Sequence, residues 1–193
     1  MTEQAIEALG VARSELTKRL SAIADSDWEK STPCTAWNVR QLVNHVVGVH
    51  HRVARLICGG SREEYVATRE DDWIGIDHIA AWQEGVRALD EAIANAGSLD
   101  TRVAYRIPLS ARDAVGLTAF DTAVHSWDVS RAIGFDEHLE DGLVKYALGF
   151  IEWIRSEPVL EALFASPKGD LPQGAAPQIR LLHLAGREPQ HHA

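Results

Sequence analysis

Four long stretches of the chain repeat apolar residues at every third or fourth position, and this spacing narrows the available folds more than any other feature. Residues 3 to 24 carry Ile6, Leu9, Ala12, Leu16, Leu20 and Ile23, and Asp25, Ser26 and Asp27 close the run. Val39, Leu42, Val43, Val46, Val53, Leu56 and Ile57 form a second run, ended by Gly59 and Gly60. Asn38, three residues before Gln41, resembles a capping box at its start. A third run, with Asp77 as cap, holds Ile79, Trp82, Val86, Leu89 and Ile93, and stops between Asn95 and Gly97. The fourth starts at Asp113 and runs to Gly134, a residue suited to a helix C-terminus. A helix with an apolar stripe must bury it against another element. Four such stripes predict an all-α chain built on a four-helix bundle.

The connections refine this picture. Residues 61 to 75 are charged and loop-like, and the long link from 58 to 77 suggests a crossover rather than a tight hairpin. Val103, Tyr105 and Ile107 alternate with other residues before Pro108, which predicts a short extended segment. A fifth helix is expected over 139 to 155 and a short last one from Ile179 to Ala185. Between them, after Pro158, periodicity is lost. His191 and His192 fall in a terminal tail. No repeat or linker divides the chain, so residues 1–193 are expected to form a single domain. Within it, 1–135 make the bundle and 136–193 supply C-terminal helices and a tail packed on it.

Charge and composition exclude several functions. The 193 residues carry a net charge of -9, and no Lys/Arg cluster is present to neutralise phosphates. Nucleic acid and anionic membrane surfaces are therefore poor partners. No apolar run approaches the ~20 residues of a spanning helix. The start, Met1-Thr2-Glu3-Gln4, lacks the basic-then-apolar order of a signal peptide. A cytoplasmic location is expected, with Cys34 and Cys58 reduced.

Chemistry concentrates in the fourth run. Asp121 and His125 are four residues apart, so they share a helix face with Ala114, Leu117, Thr118, Val129 and Ala132. A carboxylate and an imidazole facing a bundle interior need partners: each other, a polar network, or a shared metal. On the second helix, His45 lies on the apolar edge with Leu42 and Val49. His50 and His51 point about 140° and 120° away from it. His45, Asp121 and His125 would make a three-point site suited to Zn, Ni or Fe with positions left open. A hydrogen-bonded His–Asp pair without metal fits the same spacing.

Two stretches carry a resemblance. The segment from Thr32 through Pro33, Cys34, Trp37, Asn38 and Gln41 to His45 is similar to the N-terminal signature of the mycothiol-dependent maleylpyruvate isomerase-like metal-binding family. The segment from Asp121 through His125, Trp127 and Asp128 to Gly134 resembles that family's acid-x-x-x-His-x-Trp-Asp block. The run from Arg180 to Pro189 looks like the C-terminus of an actinobacterial metal-binding subfamily. The resemblance implies a DinB/YfiT-like four-helix bundle with His45, Asp121 and His125 at the metal-ligand positions. In the family's isomerase the middle ligand is Glu; here Asp121 is one methylene shorter. That isomerase has a further C-terminal domain, and residues 136–193 are expected to be too short for a full one. The resemblance also implies a low-molecular-weight thiol of the mycothiol type, a small electrophile as substrate, and an S-transferase or isomerase reaction. A non-catalytic, stress-related metal-binding module is the alternative, and a homodimer is among the expectations.

The remaining motif residues have mainly structural readings. Pro33 and Trp37 should fix the approach to the second helix and cover the core. Cys34 reads as a small buried hydrophobe, because a nucleophile would need partners that are not apparent. Asp128 could orient a ligand or pair with Arg131, and Arg131 reads as an exposed charge rather than a contact for an anionic substrate.

Overall fold

The computed structural model describes residues 2–105, 107, 109–156, 166–167, 169–171 and 173–188. Its elements are α1 (Thr2–Leu20), α2 (Val39–Ile57), α3 (Arg62–Ala67), α4 (His78–Asn95), β1 (Arg102–Val103), β2 (Leu109–Ser110), α5 (Ala111–Ile133), α6 (Asp141–Ser156) and α7 (Pro177–Leu184). The long helices α1, α2, α4 and α5 form an all-α bundle. Around its circumference α1 contacts α5, α5 contacts α2, α2 contacts α4, and α4 closes on α1. The expected extended segment is a two-stranded antiparallel ladder pairing Arg102 with Ser110 and Val103 with Leu109. Helix α6 packs on α5 and α1, and α7 packs on α6. Among the described residues no helix is long and apolar enough to cross a membrane.

The link from α2 to α4 is the expected crossover. It runs back along the outside of α2. Arg52 Nη1 donates to the Thr68 carbonyl at 3.5 Å, Asn44 Nδ2 to that of Asp71 at 2.9 Å, and Arg40 Nη2 to that of Gly75 at 3.2 Å. The chain therefore returns to the first turn of α2 before α4 begins, which leaves α2 and α4 parallel. The capping-box start of α2 also matches: Asn38 accepts from the Gln41 amide, and the Gln41 side chain accepts from the Asn38 amide.

Several boundaries differ from the sequence reading. Helix α1 stops at Leu20, and Asp25–Asp27 form a separate short 3₁₀ turn. Helix α5 starts at Ala111, not Asp113: Ser110 is its cap, and the Asp113 carboxylate reaches back to the Ser110 amide at 3.2 Å. Within the stretch read as a loop, Ser61 and Glu64 make a capping box that opens α3. Six residues are too few to show an amphipathic repeat, so the cap was the only signal. Helix α7 begins at Pro177, where a first-turn proline costs no hydrogen bond. His191, His192 and residues 157–165 of the aperiodic stretch lie outside the described residues.

The core is organised around α5, which is buried along most of its length between α1, α2 and α6. Small residues on α5 (Ala111, Ala114, Gly116, Ala119 and Ala123) let those neighbours approach. At its far end Ser130 receives a hydrogen bond from buried Arg19 of α1 at 2.7 Å. Gly134 ends the helix in the left-handed region, φ 73°. On α2, Gly48 leaves space for the returning crossover: a Cβ there would fall 2.5 Å from Arg52 Nη1 and 2.6 Å from the Trp73 ring. We expect Gly48→Ala to lower stability by ~1–3 kcal/mol through overpacking. Gly10→Ala, on an exposed face of α1 with nothing within 4 Å of the new Cβ, should instead raise it by up to ~1 kcal/mol. Urea unfolding of the two variants distinguishes these signs.

Candidate metal centre

Helices α2 and α5 run antiparallel, and their contact brings His45 against the Asp121–His125 face. His45 Nε2 lies 3.5 Å from Asp121 Oδ2, and His125 Nε2 lies 3.4 Å from Asp121 Oδ1. The three side chains can each offer one donor atom within 4.8 Å of the others. A tetrahedral ion with bonds of ~2.1 Å separates its donors by about 3.4 Å, so these spacings suit a divalent cation. Asp121 Oδ2 is buried and makes no hydrogen bond. An orphaned oxygen on a carboxylate set between two imidazoles is a costly arrangement unless a cation or proton completes it. The donor set of two nitrogens and one oxygen fits such a cation, and the position of the orphaned oxygen agrees.

A second layer of contacts holds His125. Its Nδ1 sits 2.9 Å from Asp128 Oδ2. Asp128 is fully buried and accepts two hydrogen bonds from Arg187, at 2.6 Å from Nη2 and 3.1 Å from Nε. Arg187 also donates to the Ala185 carbonyl at 2.7 Å. The segment after α7 thus fixes the carboxylate that fixes the imidazole, leaving His125 Nε2 to face Asp121. Trp37 stacks on His45 with ring centroids 4.4 Å apart and planes 29° apart.

The electrostatics follow from these contacts. Burial alone would raise the Asp121 carboxyl, but the imidazoles of His125 and His45 outweigh it and hold the group well below its usual range. Burial would lower His125, yet Asp121 and Asp128 push it up to about 9. For His45 burial wins over Asp121, so it titrates below its ordinary value. Without metal the site therefore holds a carboxylate between one charged and one neutral imidazole.

The donor triad opens into a cavity of about 580 Å³. Its walls include Cys34, Trp37, Arg52, Tyr65, Tyr105 and Thr118. Burial raises the Cys34 thiol, which keeps it protonated at neutral pH. Cys34 is half-buried beside the site rather than within the core, and Cys58 is exposed; neither forms a disulfide. His50 and His51 point elsewhere, as the helix geometry requires. His50 packs edge-on against Trp82 and His51 stacks on Trp73.

Of the two readings for Asp128, orienting the histidine is the one observed. Arg131 pairs instead with Glu137 at 2.6 Å and lies over the Trp127 ring. Sequence reasoning did not find Arg187 or Arg52. Arg187 sits 59 residues from Asp128 in the chain, and no local pattern announces either contact.

A sequence profile of the mycothiol maleylpyruvate isomerase N-terminal domain matches residues 9–130. The chain belongs to this family. Two uncharacterized proteins of Mycobacterium tuberculosis, one from strain H37Rv and one from strain CDC 1551, are each 28% identical over 115 residues, 58% of this chain. That match spans 58% of the length of these relatives. In fold the chain is similar to crystal structures of the mycothiol-dependent maleylpyruvate isomerase and of a histidine-to-alanine mutant of it. The TM-scores are 0.62 and 0.63, at 13% identity, covering 81% of this chain and 72% of the other. The architecture is therefore the all-α DinB-like bundle that the motifs implied.

The charged state of His125 makes a prediction for the metal-free protein. Its folded pKa, about 9, lies above the ordinary 6.5. The stability it contributes is fully present below 6.5 and is lost as pH rises through about 9. Asp128→Asn should move the His125 titration, followed by NMR of the ring protons, to lower pH and shrink that loss.

Proposed function

We propose that His45, Asp121 and His125 hold a divalent metal ion, with zinc the first choice and nickel or iron next. We propose further that the protein joins a low-molecular-weight thiol of the mycothiol type to a small electrophile, as an S-transferase or isomerase. The observation that carries the reading is the convergence of one donor atom from each of the three side chains to within 4.8 Å of one another, with an orphaned Asp121 oxygen, at one end of an open cavity. Family membership supports the thiol, because the solved relatives are named as mycothiol-dependent.

When bound, such an ion supplies Lewis acidity, lowering the pKa of a thiol so that it reacts as thiolate. The protein's own residues do the rest. Two neutral imidazoles and one carboxylate would leave a divalent ion held there with net positive charge, which would favour a thiolate. Asp128 and Arg187 hold the His125 ring in one orientation and favour a proton on Nδ1, freeing Nε2. Trp37 stacks on His45 and restricts its rotamers. The cavity beyond the triad has room for a small co-substrate. Cys34, held as a thiol by burial, is not the nucleophile in this scheme. The Arg187 contact also supports reading residues 1–193 as one working unit, with 136–193 completing the site of the bundle. A non-catalytic metal-binding module has the same triad but no use for the cavity.

Elemental analysis of protein purified without a histidine tag tests the first step. Near one equivalent of metal is expected in the wild type and none in His45→Ala, with helical content unchanged. Asp128→Asn should weaken metal affinity ~10–100-fold. Metal retained in His45→Ala overturns the three-donor site. For the second step, cobalt-substituted protein should show a thiolate charge-transfer band when thiol is added; its absence would favour the binding module.

A further inference from the structure

Arg52 stands on α2, seven residues after His45, and is 2% exposed. A buried guanidinium normally meets a carboxylate, because an unpaired buried charge is costly. The other buried arginines obey this: Arg13 pairs with Asp90, Arg19 with Glu15, and Arg187 with Asp128. Arg52 does not. Its contacts are the Thr68 carbonyl, at the 3.5 Å limit of a hydrogen bond, and the face of the Tyr65 ring, 5.2 Å from its Cζ. Its Nε is buried without any hydrogen bond. Its Nη1 lies over Gly48, 2.5 Å from where a Cβ would stand.

Arg52 lines the same cavity as His45, Asp121 and His125, and so do Arg62 and Arg69. The last two are exposed at the mouth, and no ion pair is formed by either among the described residues. Asp121, the carboxylate in that cavity, is committed to the imidazoles. The cavity thus has a donor triad at one end and three guanidinium groups on its wall, none of them in an ion pair among the described residues.

We propose that this wall is an anion subsite, with Arg52 as its specificity-determining residue, and that it receives a carboxylate carried by the small molecule that reaches the triad. The fork of N–H donors on a guanidinium matches the two oxygens of a carboxylate. Arg62 and Arg69 add attraction at the mouth. The identity of the occupant as a reactant rests on the proposed function, but anion binding itself requires no metal. The carboxylate can belong to the thiol or to the electrophile.

The test starts with chelator-treated, metal-free protein and calorimetric titration of succinate, with succinamide as the neutral counterpart. Succinate should bind and succinamide should not, and binding should weaken as salt is raised. Arg52→Met should reduce succinate affinity ~10-fold or more, whereas Arg180→Gln, which removes an exposed arginine outside this cavity, should retain it. Methionine fills the space without an unpaired charge, so the variant should keep its circular dichroism spectrum. If it does not fold, the Arg62→Gln/Arg69→Gln double variant at the exposed mouth carries the test, with a several-fold loss expected. No succinate binding by the wild type, or equal binding by these variants, overturns the proposal. Cobalt-loaded protein then separates the two sources. A preference for 3-mercaptopropionate over 2-mercaptoethanol that Arg52→Met abolishes assigns the carboxylate to the thiol. Succinate binding alongside 2-mercaptoethanol assigns it to the electrophile. Failure of the metal reading would appear separately, as no cobalt uptake, and would leave the succinate result standing.

Discussion

The contact between α2 and α5 places a carboxylate, Asp121, inside the protein with imidazoles on two sides. A buried charge of this kind costs several kcal/mol unless its surroundings answer it. Much of the architecture answers it. The antiparallel packing of α2 and α5 supplies His45 from one helix and His125 from the other. Small residues along α5 let the helices come close enough for donors about 3.5 Å apart. Asp128 then balances the charged form of His125, and Arg187 balances Asp128. The alternation of charges runs from the bundle centre into the segment after α7.

This chain of pairs gives the C-terminal part a role beyond covering α6. Arg187 is buried and fully engaged by Asp128 and a backbone carbonyl. Its hydrogen bonds set the position of a carboxylate, which sets the tautomer and orientation of an imidazole. A rigid bundle supplies the donors, and a later segment tunes one of them. The crossover from α2 to α4 acts on the opposite side of the site. It brings Tyr65, Arg62 and Arg69 over the cavity, packed against α2 where Gly48 has no side chain. The cavity is therefore roofed by the connection that the bundle needs in order to place two parallel helices side by side.

Two buried cations near the triad illustrate different physical regimes. Arg187 is neutralised by a carboxylate and belongs to the folded framework. Among the described residues Arg52 has a long hydrogen bond and a ring face but no carboxylate partner, which leaves its charge available to an anion. The difference decides which arginine can serve a ligand.

The helices, and the inward faces carrying His45 and the Asp121–His125 pair, were legible in the sequence for one shared reason, periodicity within a single helix; joining the three residues into one site rested on the family resemblance. The 3.6-residue repeat marks the apolar stripes, puts Asp121 and His125 on one face, and puts His45 on the inner edge of α2 while turning His50 and His51 away. The capping box at Asn38 marks the start of α2, whereas the fourth helix, expected from Asp113, starts earlier at Ala111 because Asp113 is the partner of the Ser110 cap. What only the tertiary structure decided involves residues distant in the chain. The pairing of Asp128 with Arg187 rather than Arg131, the stacking of Trp37 on His45, and the isolation of Arg52 depend on which helices are neighbours and in which direction they run. No local spacing encodes that, because it is set by the joint packing of apolar faces from the whole chain.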